Sequence, residues 1–245
     1  MKILTLNTWQ ERGPWQERWE VILEGMERFH PNIVAFQELF NPSWAQEIQK
    51  RTGFPHLVFP EEYCGLVLGT DLAVKSSGVV RLTKSPWEDY DRYAMWAELE
   101  RTGQPLFVFN THFSWLLEDG ESRRKQAREV LELVGGKAGE AEAIVMGDLN
   151  STRHSPEIRG FIEEGGFRDL FFEKHRDEPG FTWDNQNPYA ASAHHPLPDR
   201  RIDFILARGS GSGLKDLVSC DLVFTRPDPK GIWASDHFGV LAEFK

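Results

Sequence analysis

Residues 143–150, Ala143-Ile-Val-Met-Gly-Asp-Leu-Asn150, read as a buried strand that ends in chemistry: a short apolar run, a glycine, then two polar side chains two residues apart. The same grammar recurs twice. Ile33-Val-Ala-Phe-Gln37 is followed by Glu38, and Leu106-Phe-Val-Phe109 by Asn110-Thr-His112. Asn7 closes an alternating N-terminal run, and Ser235-Asp-His237 precedes the last apolar run. Each cluster alone is a weak signal, since Asp and Asn routinely form turns after strands. Their joint placement at strand ends is the informative feature, because open α/β sheets gather their ligand sites outside strand C-termini.

Outward from 143–150, the chain alternates strands and helices. Residues 2–7 predict a strand. Trp15, Trp19, Ile22, Leu23 and Met26 have the spacing of a helix over 15–29, which Pro31 would end, and a second helix is expected over 43–51 with Ser43 as its N-cap. Short strands follow at 66–68, 72–74, 79–82, 93–99 and 106–109, then a helix at 122–134, a helix at 157–164, and strands at 202–206, 217–224 and 240–244. This order predicts an α/β protein of two mixed sheets flanked by helices. The segment 173–200 is proline-rich with little periodicity and reads as a long loop, a kind of segment that is often functional. Gly209-Ser-Gly-Ser-Gly213 reads as a flexible connection between strands.

The 245 residues, 40% hydrophobic and 27% charged, exclude a disordered, collagen-like or coiled-coil chain and are expected to form a single domain over 1–245. Twenty-eight Lys and Arg against 38 Asp and Glu give a net charge of -10, the wrong sign for a protein that holds nucleic acid mainly by neutralising phosphates. Cys64 and Cys220 form no short-spaced metal or redox pair. No apolar run reaches the roughly 18 residues of a membrane span, and Met1 leads directly into a strand pattern, so the expectation is a soluble, cytoplasmic protein without stable membrane insertion.

Asn7, Gln37-Glu38, Asn110-Thr-His112, Gly147-Asp-Leu-Asn150, Arg201-Ile-Asp203 and Ser235-Asp-His237, in this order from residue 3 to 244, resemble the endonuclease/exonuclease/phosphatase superfamily of metal-dependent phosphoesterases. The resemblance implies a four-layer α/β/β/α sandwich with the site at one end of two packed sheets. It also implies hydrolysis of a phosphoester by in-line attack of an activated water, with DNA, RNA, sphingomyelin, inositol phosphates or nucleotides as the family's range of substrates. Phosphoester hydrolysis needs a hard divalent cation, Mg²⁺ or alternatively Mn²⁺, which takes oxygen ligands. Glu38, Asn7 and Asp236 are the expected ligands. By the same resemblance Asp148 orients or deprotonates the water, His237 serves as base or donor, and Asp203 orients His237. Asn150 and His112 would donate to phosphoryl oxygens. Asn110-Thr-His112 is similar to the sphingomyelinase, deadenylase and pancreatic-type deoxyribonuclease branches rather than the abasic-site endonucleases.

Structural readings compete with several of these roles. Asp203 sits beside Arg200 and Arg201 and could form a surface ion pair with them, His112 could be a core histidine, and Arg153, Arg200 and Arg201 are alternative phosphate ligands. His194-His195 read as solvated loop residues, Arg123 and Gln126 as structural, and Trp9, Trp115, Trp183 and Trp233 as walls of the site or stacking platforms. The acidic balance favours a small-molecule or lipid head-group phosphoester. A nuclease is the first alternative, and a catalytically inactive binding module of the same fold the second.

Overall fold

The computed structural model describes residues 1–60, 64–101, 104–192, 197–209 and 212–245. The chain opens β1 (Lys2–Asn7), α1 (Trp15–Phe29), β2 (Ile33–Gln37), α2 (Pro42–Thr52), β3 (His56–Val58) and β4 (Val67–Thr70). The meander follows as β5 (Ala73–Arg81), β6 (Tyr93–Arg101) and β7 (Gln104–His112). Then come α3 (Gly120–Ala138), β8 (Glu142–Asp148), α4 (Pro156–Arg159), a π-helical turn (Gly160–Glu164), β9 (Arg168–Asp169), α5 (Leu170–Lys174) and α6 (Pro188–Ala191). The chain closes with β10 (Asp203–Arg208), α7 (Ser212–Lys215), β11 (Leu217–Val223) and β12 (Gly239–Phe244).

Among the described residues these strands form two six-stranded mixed sheets, ordered β11-β12-β1-β2-β4-β3 and β5-β6-β7-β8-β10-β9. The sheets pack face to face. Ile3, Ile33, Ala35 and Leu68 of the first meet Met95, Ala97, Val108, Ile144, Met146 and Ile205 of the second. Alternate residues of the same strands face the helices: Leu4, Leu6, Val34 and Phe36 pack on Trp19, Ile22 and Met26 of α1, while Phe109, Val145 and Phe204 pack on Ala127, Val130 and Val134 of α3. Strands covered on both faces therefore read as continuous apolar runs, which is why 33–36 and 143–146 were legible.

The departures from expectation have physical reasons. The two strands expected at 72–74 and 79–82 are one strand, β5, whose polar centre Lys75-Ser-Ser-Gly78 is tolerated because β5 is a sheet edge. The three-residue edge strand β3 was too short to show a period. Asn41 rather than Ser43 caps α2, its side chain accepting from the Ser43 N–H at 3.0 Å. The helix expected at 157–164 changes to a π-helical turn, closed by the Gly165 N–H on Gly160 O at 3.0 Å. The loop expected over 173–200 carries the end of α5 and the short helix α6, capped by the Asn187 side chain on the Tyr189 N–H. Of the glycine-serine stretch at 209–213, Ser212 and Gly213 begin α7, and residues 210 and 211 lie outside the described residues.

Candidate active site

Strand register assembles the site. Asp148, the last residue of β8, stands beside His112 on the parallel neighbour β7 and Asp203 on the antiparallel neighbour β10, so the three side chains leave adjacent strands on one face. Asn7 ends β1 in the other sheet, in register with Gln37, and Glu38 follows at once. Asp236 and His237 lie just before β12. Trp183 bridges both His237 and Arg200, which draws the 182–183 stretch against the same strand ends. The two sheets are tied beneath the site by buried amides: Gln37 Nε2 donates to Asn110 Oδ1 at 2.8 Å, and Asn110 Nδ2 donates to the carbonyls of Phe36 and Val67. Gln37 and Asn110 thus serve packing.

The side chains converge on Asp148. Its Oδ2 accepts from Asn7 Nδ2 at 3.0 Å and lies 3.3 Å from His112 Nε2 and 3.8 Å from His237 Nε2. Its Oδ1 accepts from the Asn150 N–H at 3.0 Å. The other ring nitrogen of His237, Nδ1, is 2.9 Å from Asp203 Oδ2, and the Asp203 backbone N–H donates to Thr182 Oγ1. Asn7 Nδ2 also reaches Glu38 Oε1 at 3.3 Å, while Asn7 Oδ1 accepts from the Trp9 N–H and keeps a second lone pair. Glu38 and Asn150 both adopt positive φ, 58° and 47°, the kind of backbone strain that persists where surrounding structure enforces it.

Charge at the site is tightly coupled. Burial and the Asp203 carboxylate push the Asp148 carboxyl well above the usual carboxylate range, against the pull of His237. Burial alone would lower His237, but Asp203 and Asp148 overcome it and hold the ring cationic at neutral pH. His112 goes the other way: burial, then Arg92 and His237, lower its pKa, leaving a neutral imidazole. Asp236 is raised to about 6 by burial and, against the pull of His237, by the neighbouring Glu38 carboxylate.

Two groupings offer metal ligands. Asp148, Asp203 and His237 have ligand atoms within 4.8 Å of one another, but an imidazolium clasped by two carboxylates has no lone pair to give. Glu38 and Asp236 both line the cleft, and their mutual repulsion fits a hard divalent cation between them, while Asn7 turns its Nδ2 to Glu38 and its Oδ1 to the Trp9 N–H.

These groups line a cleft of about 520 Å³ walled by Trp9, Tyr90, Trp115, Trp183 and Tyr189. Trp9 stacks on Tyr189 with ring centroids 4.9 Å apart. Of the expected site residues, Glu38, His112, Asp148, Asn150, Asp236 and His237 line the cleft, with Asn7 and Asp203 directly behind them. His112 is therefore not a core histidine. Asp203 pairs with His237, not in a surface pair with the arginines: Arg201 is buried and binds Asp169 through two hydrogen bonds, and Arg153 lies on the same Asp169. Arg200 does line the cleft. Trp233 stacks on Phe238 away from it, and His194 and His195 lie outside the described residues. Arg123 and Gln126 are structural, bonding the carbonyls of Ser114 and Leu117 and the Ser114 N–H, so they set the loop that carries Trp115.

Sequence reasoning missed Arg18. Fully buried on α1, its guanidinium donates to the carbonyls of Thr8, Trp9, Gln10, Arg12 and Ala234, joining the loop after Asn7 to the segment before Asp236. A signal existed, since Arg18 falls on the apolar face between Trp15, Trp19 and Ile22. Gly147 is required by geometry: at φ 134° a Cβ would sit 2.1 Å from Thr111 O, so only glycine lets β8 approach β7 next to Asp148.

The class is defined by fold and sequence together: the model of the Endonuclease/Exonuclease/phosphatase family matches residues 4–237, and the chain belongs to that family. Its two helix-flanked mixed sheets are the architecture the sequence predicted. Among solved structures, zebrafish (D. rerio) TDP2 complexed with single-strand DNA product superposes with a TM-score of 0.82 at 20% identity, covering 100% of this chain and 98% of that one. An endonuclease/exonuclease/phosphatase protein from Bacteroides vulgatus gives 0.77 at 21% identity, covering 100% and 98%. Beta toxin from Staphylococcus aureus gives 0.79 at 18% identity, covering 100% of both chains. No curated protein matches the chain in sequence. Among the described residues no helix is long and apolar enough to cross a membrane.

Proposed function

We propose that the chain is a divalent-metal-dependent phosphoester hydrolase, and that residues 1–245 act as one domain in the cytoplasm, where two free cysteines are at home. The observation that carries the reading is the gathering in one cleft of the mutually repelling carboxylates Glu38 and Asp236 with Asp148, on which a cationic His237 and a neutral His112 converge. Glu38, Asp236 and Asn7 would hold Mg²⁺ or Mn²⁺, which supplies neutralisation of charge on the phosphoryl oxygens.

The chain's own groups do the rest. Asp148, its pKa raised toward neutrality, takes a proton from the attacking water, which is the condition under which a carboxylate is an effective general base. The water oxygen bonds to phosphorus opposite the ester oxygen, that P–O bond breaks, and the leaving oxygen takes a proton from solvent. His237, kept cationic by Asp203, would face the negative phosphoryl oxygens, with His112 and the Asn150 amide hydrogen not used on Phe113 O as further donors to the charge that develops there. The aromatic walls favour a small phosphoester with an apolar or aromatic group, or a lipid head group. A second reading has a specific observation behind it: unpaired bases also stack on such walls, and a structural neighbour was solved with single-strand DNA product, so a nuclease acting on single-stranded ends is the alternative.

A hydrolysis panel separates these. With Mg²⁺ or Mn²⁺, p-nitrophenyl phosphate, its bis ester, nucleotides, sphingomyelin, RNA and single- and double-stranded DNA are incubated with the protein. Metal-dependent turnover of the small esters is expected. Turnover of DNA or RNA alone would favour the nuclease, and silence on every substrate would favour an inactive binding module.

A further inference from the structure

One charged side chain in the cleft is left without a partner. Arg200 is only 7% exposed, yet its Nε and Nη2 are shielded from solvent with no hydrogen-bond acceptor, and the residue lines the cleft beside Asn150, His112 and His237. The neighbouring arginines differ: Arg201 and Arg153 both lie on Asp169, whereas Arg200 has no such carboxylate among the described residues. Its backbone is fixed, since the Arg200 N–H donates to Trp183 O at 2.8 Å and its carbonyl accepts from the N–H groups of Thr182 and Trp183. Burial lowers the Arg200 pKa while the Asp148 and Asp203 charges raise it, yet neither carboxylate accepts from Nε or Nη2, and a buried guanidinium donor without an acceptor is costly. A ligand anion would supply that acceptor.

We propose that Arg200 is an anion subsite that makes the cleft prefer phosphomonoester ends over internal phosphodiesters. The proposal rests on the phosphoester reading above and deepens it. His237, His112 and Asn150 already offer donors to the phosphoryl group. A diester carries one negative charge, whereas a monoester carries about -1.5 to -2 near pH 7. The added ionised oxygen needs a further cation, and the planar guanidinium fork matches two phosphoryl oxygens in a way an ammonium cannot.

The probes are methyl phosphate and dimethyl phosphate, titrated calorimetrically with Mg²⁺ present into the wild-type protein, Arg200→Gln and Arg200→Lys. The wild type should bind methyl phosphate at least about 10-fold more tightly than dimethyl phosphate. Arg200→Gln should shrink that ratio to about 2-fold, and Arg200→Lys, which keeps charge but loses the fork, should fall between. Circular dichroism checks folding; if Arg200→Gln does not fold, the Arg200→Lys ratio decides. An unchanged ratio in the variants, or no preference in the wild type, would overturn the proposal. Substrate turnover by the wild type with an Arg200-insensitive ratio counts against the subsite alone. An Arg200-dependent ratio without turnover of any phosphoester supports the subsite and counts against the hydrolase.

Discussion

Asp203 acts on the proposed chemistry through its hydrogen bond to His237 and through its charge on Asp148, and the His237 pair is testable by pH. The carboxylate raises the His237 pKa, so Asp203→Asn should lower it, and the alkaline limb of the kcat/KM profile should move to lower pH. His237→Ala should lose about 10² to 10⁴ in rate, and the double variant should be little worse than His237→Ala, because groups that work as a unit are not additive. Additive losses with an unmoved alkaline limb would separate the two residues. At this scale the sequence was legible where a polar residue ended a buried strand, as at Asp148, Glu38 and His112. It was silent where a charge was buried, because Lys and Arg are ordinarily solvated. Arg18 therefore looked like a surface residue, whereas the pairing of Asp203 with His237 was legible beside the competing ion pair with Arg200 and Arg201, which failed because neighbours in sequence need not be neighbours in space.

Loops, not strands, carry half of the site, and one helix residue holds them. Arg18 spans the 8–12 loop and Ala234 with hydrogen bonds to five carbonyls, and its guanidinium also lies 4.8 Å from the centre of the Trp9 ring. Arg18→Met keeps much of the apolar stem and strands those carbonyls. It should cost about 3 kcal/mol in a urea-melt measurement and lower activity as Asn7 and Asp236 lose their relative placement. A loss under about 1 kcal/mol would mean that water replaces the guanidinium at little cost. The buried, apolar β2 and β8 were evident from the sequence, whereas β5 read as two short strands and β3 did not show, since edge strands need no continuous apolar pattern. The π character of 160–164 escaped because one Gly165-to-Gly160 hydrogen bond sets it, and α6 escaped because its four residues are held by the Asn187 cap rather than by a period.

The molecule as a whole carries a net charge of -10, and most of the cationic side chains near the cleft are committed elsewhere: Arg92 is clasped by Glu88 at 2.8 Å, and Arg18 by carbonyls. Duplex DNA binding should accordingly be weak, with a log-log salt slope near zero rather than about -0.9 for each phosphate contacted. A labelled-duplex titration from low to high salt checks this, and a steep slope with tight binding would point to a basic groove assembled by the fold. Two mixed sheets flanked by helices followed from the order of elements, but the strand order within each sheet did not, since pairing between distant segments leaves no local pattern. The central claim is that Glu38 and Asp236 hold a divalent cation that phosphoester hydrolysis requires. The most direct measurement is the rate of hydrolysis as Mg²⁺ is titrated into the metal-stripped wild type and Glu38→Gln. The wild type should be inactive without metal and saturate with Mg²⁺, while the variant, folded and with a metal-free melting temperature equal or higher because the repulsion on Asp236 is relieved, should stay inactive at Mg²⁺ levels that saturate the wild type. Full activity in the stripped protein, or an unaltered Mg²⁺ response in Glu38→Gln, would contradict it.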